Sequence, residues 1–200
     1  MLIFYHAPQS RSATTLWLLE ELEVPYEIEL VDIRAKGGAP ESYRAIQPHK
    51  KAPAISHNGV VINERAAIAA YLADAFPKAG LAPPIGDPRR GPYLTWLVYV
   101  DAVMDPYLAA KNYGWQYDAM NVSFGRFEDM TAHVEATLSA HDYAVADSFT
   151  AADVSLASAL HWAVNVTSLL PGTPPVRTYL ERVQKRPGFQ RFMTKSAEGA

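Results

Sequence analysis

The sequence predicts two domains of different class, a mixed α/β domain of about 75 residues followed by an all-helical one. Three observations predict this. Residues 47–73 have the pattern of a β-hairpin running directly into a helix. Residues 76–92 contain Pro77, Gly80, Pro83, Pro84, Gly86, Asp87, Pro88, Gly91 and Pro92, a density of breakers that neither helix nor strand survives. Beyond them, apolar residues recur only at helical spacing. The breaker-rich stretch is therefore a proline-stiffened linker at 77–92, separating a domain at 1–76 from one at 93–200.

Met1 to Tyr5 is a short β-prone run that stops at His6-Ala7-Pro8. Ser10-Arg11-Ser12 then precedes an apolar stretch from Leu16 to Leu22, with Glu20, Glu21 and Glu23 late in it and Pro25 to end it, so this segment is strand, loop and helix. Tyr26 to Ile33 is strand-like, Arg34 to Pro40 is a glycine-containing loop, and Ser42 to Ile46 has room for one helical turn or two. The apolar runs 53–55 and 60–62 flank Asn58-Gly59, the strongest local hairpin signal. Asn63 then suits a helix cap, Glu64 suits the positive end of the helix dipole, and Ile68, Tyr71 and Leu72 form one apolar stripe. The predicted order is β-α-β-α-β-β-α.

In the second half, Trp96, Val100, Val103 and Tyr107 share one helical face, with Leu97, Met104 and Leu108 beside it. Phe127, Met130, Val134 and Leu138 repeat at the same kind of spacing, as do Leu156, Leu160 and Val164, and then Val176, Tyr179, Leu180 and Val183. Thr150 and Asp153 have the spacing of a capping box, with Phe149 and Val154 as its hydrophobic staple. Arg186-Pro187-Gly188-Phe189 marks a break before a last short helix.

The hairpin and helix carry a resemblance. Lys51-Ala52-Pro53-Ala54-Ile55, followed by Asn63-Glu64-Arg65-Ala66-Ala67-Ile68 and Tyr71-Leu72, resembles the glutathione-binding hairpin and helix of the cytosolic glutathione transferases, of a bacterial, serine-loop type. The capping box and the break at 186–189 are similar to those of the family's C-terminal domain. The resemblance implies a thioredoxin-like fold for the first domain and a cis peptide before Pro53. It also implies that the main chain of Ala52 pairs with the cysteinyl part of glutathione like an added strand, and that Glu64 holds the γ-glutamyl ammonium. Where the family usually has Ser after the acid this sequence has Arg65, which either replaces the hydroxyl contact or points to solvent.

Composition narrows the chemistry. Two hundred residues, 49% of them hydrophobic, suffice for one large or two small cores. No apolar run approaches the roughly 18 to 20 residues of a membrane helix. The first residues lack the basic start and small-residue cleavage site of a signal peptide, so a soluble, cytoplasmic protein is expected. A net charge of −3 without a basic cluster argues against a nucleic-acid surface. With no cysteine at all, glutaredoxin-type exchange through a protein sulfur is excluded, and any reactive sulfur must arrive with a ligand.

Free glutathione is a poor nucleophile near neutrality, because a thiol of pKa about 8.5 is only a few per cent ionised there. Lowering that pKa by two units requires about 2.7 kcal/mol of preferential stabilisation of the anion. The family does this from the loop before the first helix, with a hydroxyl or a thiol. Here Ser10 and Ser12 occupy that loop, Ser10 nearest the family's serine, and Tyr5 is a third candidate on the first strand. On the residues alone, either serine is as well explained as a helix cap. The glycine carboxylate of glutathione needs a cation; Arg34, Lys36, His49, Lys50 and Lys51 are available, and Lys51 fits the family's position.

A hydrophobic electrophile is expected against the first helices of the second domain, in an apolar cleft. Trp96, Tyr107, Tyr113 and Trp115 are the candidates, and Tyr113 to Tyr117 departs from the helical pattern as a pocket wall or loop. The six histidines show no metal-ligand spacing, Gly-x-Ser-x-Gly is missing, and phosphate-cradling glycine motifs are absent. The leading reading is a homodimeric glutathione transferase with glutathione as co-substrate and no metal. A glutathione-dependent isomerase or peroxidase on the same scaffold, or a non-catalytic binding relative, are the alternatives.

Overall fold

The computed structural model describes residues 1–199; residue 200, where the predicted helical domain ends, lies outside them. The chain divides into two compact units. One comprises residues 1–79 with the segment from Arg186 onward, the other Gly80–Lys185.

The first unit contains β1 (Leu2–His6), α1 (Ser12–Leu22), β2 (Glu27–Leu30), β3 (Ala54–His57), β4 (Val60–Asn63) and α2 (Arg65–Ala75). Its sheet has the order β2-β1-β3-β4, with β1 and β2 parallel and the other neighbours antiparallel. This is the thioredoxin-like arrangement. The hairpin closes where predicted: His57 pairs with Val60 across Asn58 and Gly59, whose φ values are 52° and 84°. Two successive left-handed residues are what a tight two-residue hairpin turn requires.

β1 is buried on both faces. Phe4 and His6 project to one side, while Tyr5 joins Val31, Ala39, Tyr43 and Ala54 in a small core on the other. The predicted second helix is only a 3₁₀ turn, Glu41–Ala45. Pro40 and Pro48 bracket it, and proline restricts the residue before it to extended backbone, so the segment cannot grow into a longer helix.

Asn63 does not cap α2. It remains in the ladder opposite Ala54, and the turn from strand into helix falls on Glu64 alone, at φ 64° and ψ 126°.

The last helix, α8 (Pro187–Ala197), which the sequence reading assigns to the second domain, packs with the first unit. Trp17 of α1 meets the edge of Phe189 and stacks on Phe192. Glu21 accepts from Trp17 Nε1 at 2.9 Å and from Arg186 at 2.9 Å, and Glu20 accepts from Lys195 Nζ at 2.7 Å. The acids late in α1 thus answer basic residues in and just before α8, more than 160 positions away, a complement no local pattern reveals.

The second unit is helical: α3 (Arg90–Tyr99), α4 (Asp105–Tyr113), α5 (Phe127–Ala140), α6 (Ala151–His161) and α7 (Pro174–Gln184). A π-helical turn, Val100–Met104, joins α3 to α4 without a break. The predicted faces are buried, Leu97, Met104, Val134, Leu156 and Val183 among them. The start of α6 carries the capping-box pairing of Thr150 with Asp153. Asp153 Oδ2 accepts the Thr150 N–H at 2.9 Å, and Oδ1 reaches beyond the local box to accept the Ala144 N–H at 2.8 Å and the Tyr179 hydroxyl at 3.1 Å. Phe149 packs edge-on against Tyr143.

Candidate active site

Strand register concentrates the candidate residues of the first unit at one end of its sheet. Tyr5 pairs with Ala54 in antiparallel sense, so the loop after β1 lies beside the residues that precede β3. Ala54 in turn pairs with Asn63, which brings Glu64 to the same end. His6 pairs with Leu30 in the parallel direction, so the segment after β2 emerges there too. Residues 7–12, 51–53 and 64–65 therefore converge by topology.

The Ala52–Pro53 peptide is cis. Ladder pairing begins only at Ala54, so the peptide groups of Ala52 stand outside the sheet. The approach to this turn is held from within. Gln47, buried, uses its side-chain oxygen to accept the N–H groups of His49 at 2.7 Å and Lys51 at 3.2 Å, and the Tyr43 hydroxyl donates to the Lys51 carbonyl at 3.1 Å. Lys51 itself faces solvent. Glu64 is exposed at the start of α2, in a left-handed conformation that a residue with a Cβ adopts only when its surroundings impose it. Arg65, half-buried, is the first residue of that helix.

In the loop after β1 the two serines part company. Ser10 is half-buried; Ser12 is wholly buried, with 0% exposure, beneath it. Ser12 Oγ lies 2.7 Å from His6 Nδ1 and 2.9 Å from Ser10 Oγ, and it accepts the Ala7 N–H at 3.1 Å. Ser10 Oγ accepts the Ser12 N–H at 3.1 Å and lies 2.7 Å from the Ala7 carbonyl oxygen. Tyr5 points the other way, into the small core against Tyr43. Burial, with the charge of Glu29 second, raises its phenol pKa, and burial pushes Tyr43 up to about 12. Neither phenol is placed to act as an acid near neutrality.

Two residues take parts that their sequence positions did not announce. Arg34, one of the candidate carboxylate ligands, turns instead to the loop, where its guanidinium donates to the carbonyls of Pro8 and Gln9. That clamp holds Gln9 at φ 54°, next to Ser10. His6, passed over as one of six scattered histidines, stands behind Ser12. Its only sequence signal is its place at the end of a strand that opens on two serines. Lys50 is occupied by the Gly37 carbonyl at 3.0 Å and by Glu41, whose carboxyl Arg44 chiefly holds below its usual range.

In the second unit the four aromatic candidates also divide. Trp96 and Tyr107 are buried: Trp96 stacks on His133, and Tyr107 packs against Tyr117, Phe124 and Phe127. Tyr113 and Trp115 flank the left-handed Gly114 that ends α4, and they stack on each other while remaining 70% and 58% exposed. Among the described residues, no group of histidines and acids could hold a metal, and no helix is long and apolar enough to cross a membrane.

The architecture is that of a thioredoxin-like domain followed by a helical domain. The N-terminal domain of glutathione S-transferases matches residues 10–75 and their C-terminal domain matches residues 116–182. The chain belongs to the glutathione S-transferase family. It is 32% identical to Glutathione S-transferase 3 of Schizosaccharomyces pombe over 112 residues, 56% of this chain and 46% of that protein, so the match spans less than half of that relative. It is 26% identical over 174 residues to Glutathione S-transferase GstA of Escherichia coli O157:H7, 86% of this chain and 85% of that one. A solved glutathione transferase of Methylococcus capsulatus superposes with a TM-score of 0.79 at 26% identity, covering 99% of this chain and 100% of that chain.

Proposed function

We propose that the protein binds glutathione at the sheet end described above and transfers its thiolate to hydrophobic electrophiles. The carrying observation is the convergence, by strand register, of an unladdered peptide at Ala52, a conformationally forced acid at Glu64 and a half-buried hydroxyl at Ser10. In this reading Ala52, ahead of Pro53, pairs with the cysteinyl unit as an extra strand, Glu64 takes the ammonium, and Lys51 attracts the glycine carboxylate. Arg65, at the start of α2, assists at the γ-glutamyl end. Ser10 donates a hydrogen bond to the sulfur, and such a bond to an anion is roughly twice as strong as one between neutral groups. Ser12 supports Ser10 from below, since its burial keeps it from the sulfur.

The exposed Tyr113–Trp115 stack supports an aromatic or otherwise apolar electrophile, with Trp96 and Tyr107 fixing the helices behind it. Exposed Leu94 and Val98, one helical turn apart on α3, support a homodimer. A cytoplasmic setting, with its pool of reduced glutathione, completes the reading.

The test is to titrate the bound glutathione thiol by its ultraviolet thiolate absorbance and to measure conjugation of an aromatic halide, in the parent protein and in Ser10→Ala. The expected result is a thiol pKa about two units below the free value in the parent and a large part of that shift lost in the variant. A parent thiol pKa equal to that of free glutathione, with no turnover, would overturn the proposal.

A further inference from the structure

A polar chain runs inward from Ser10 in the first unit, outside the proposed contacts to glutathione. His6 is 1% exposed and Ser12 0%, yet they form a contact of 2.7 Å between Nδ1 and Oγ, and Ser12 Oγ continues to Ser10 Oγ at 2.9 Å. A hydroxyl has one proton and two acceptor positions, so these contacts can be satisfied in only a few ways.

When His6 carries a proton on Nδ1, Ser12 Oγ receives it together with the Ala7 N–H, and both acceptor positions of Ser12 are filled. The Ser12 proton then has two acceptors, Ser10 Oγ and the Ala7 carbonyl oxygen, each 2.9 Å away, and either way Ser12 has no acceptor position left for Ser10. The Ser10 proton is thereby turned away from Ser12, toward the Ala7 carbonyl oxygen or a group outside the loop. When Nδ1 is bare the order reverses. Ser12 donates to His6 and keeps an acceptor position open, so the Ser10 proton can turn inward to Ser12 Oγ as well as to the Ala7 carbonyl.

We infer that His6 is a positioning residue for thiol activation: through Ser12 it orients the Ser10 hydroxyl outward and strengthens the hydrogen bond that Ser10 donates to the glutathione sulfur. This rests on the reading that Ser10 faces that sulfur. Each bond in such a chain polarises the next, so a donor two residues deep makes the terminal hydroxyl a better donor to an anion. No covalent change is involved, and the three protons are only redirected.

The relay predicts that His6→Leu raises the pKa of bound glutathione by roughly one unit, about a threefold loss of thiolate at neutral pH for a parent pKa about two units below the free value, while glutathione affinity below that pKa is unchanged. His6→Asn retains a donor near the position of Nδ1 and restores most of the shift. Ser12→Ala cuts the chain in the middle and behaves as His6→Leu does. It also supplies the measurement should the leucine variant fail to fold. The experiment is the ultraviolet thiolate titration of the glutathione complex in these three variants and in Ser10→Ala, alone and combined with His6→Leu. The combined variant is expected to show no further shift beyond Ser10→Ala.

An unshifted pKa in folded His6→Leu or in Ser12→Ala, with Ser10→Ala still effective, would overturn the relay and leave the transferase reading intact. A His6→Leu effect of equal size in the Ser10→Ala background would also overturn it, since the influence would not pass through Ser10. If Ser10→Ala itself leaves the pKa unchanged, the role given to Ser10 fails, and the relay fails with it.

Discussion

Replacing Asp153 offers a quantitative test of how the helical unit is held. Its carboxylate is 0% exposed and accepts the Ala144 N–H at 2.8 Å, the Thr150 N–H at 2.9 Å and the Tyr179 hydroxyl at 3.1 Å. Asp153→Ala leaves two buried N–H groups without an acceptor, at about 1 to 3 kcal/mol each. Tyr179 is less affected, because its hydroxyl also lies 3.2 Å from the Asp153 carbonyl oxygen. Against this, burial raises the Asp153 pKa to about 6 from an ordinary 3.8, its hydrogen bonds pulling the other way. The ionised form is therefore strained near neutrality, and removing the charge returns part of the loss.

A net destabilisation of about 2 to 4 kcal/mol is expected for Asp153→Ala near pH 7. Because the folded-state pKa exceeds the unfolded one, the folded protein holds the extra proton between about pH 4 and pH 6. The stability from this group is fully present below about pH 4 and is lost as pH rises through about 6. The contribution of this group to parent stability should thus be roughly 1 kcal/mol larger at about pH 5 than at about pH 7. Asp153→Asn, which cannot ionise, should lack that increment. Reversible urea unfolding of parent and both variants at the two pH values measures all of this. Equal parent and Asp153→Asn slopes, or an Asp153→Ala protein as stable as the parent, would refute the reasoning. Glutathione affinity of the folded fraction should not change.

Three further outcomes follow from the first unit. Glu64→Gly relieves a left-handed backbone carrying a Cβ and should stabilise the fold by up to about 1 kcal/mol while weakening glutathione binding, whereas Glu64→Ala should weaken binding without the gain; calorimetric binding and melting curves separate the two. Arg34→Lys cannot reproduce the two-carbonyl clamp on Pro8 and Gln9, so the conjugation rate should fall several-fold with stability changed by less than about 1 kcal/mol; an unchanged rate counts against the clamp. Gly188→Ala would drive a Cβ against the Glu21 carboxylate, its oxygens 2.7 and 2.8 Å away, and should destabilise by about 1 to 3 kcal/mol, as melting would show.

Some of the site was legible in the sequence for a simple reason. Asn58-Gly59 and the Thr150–Asp153 pair act over two to four residues, and over that range residue type nearly dictates conformation. The hairpin and the capping box accordingly stand where the residues predict, whereas the cis peptide before Pro53 was implied by the family resemblance. Asn63 shows the limit: it has good cap chemistry, but pairing with Ala54 outweighs a local preference worth about 1 kcal/mol. The residues proposed to hold glutathione were legible only through their resemblance to a family, since nothing local distinguishes Glu64 from any acid at a helix start.

By itself, then, the chain determined the fold class, α/β followed by all-helical, with the helical faces, the hairpin and the absence of any sulfur nucleophile of its own. Tertiary structure alone decided which serine is accessible, that His6 stands behind the other, that Arg34 grips the loop between them, and that α8 packs with the first unit. Those outcomes depend on β-strand register and on charge pairs formed across up to 175 positions. Short-range preference is written in neighbouring residues, whereas burial and proton direction exist only once distant segments share one volume.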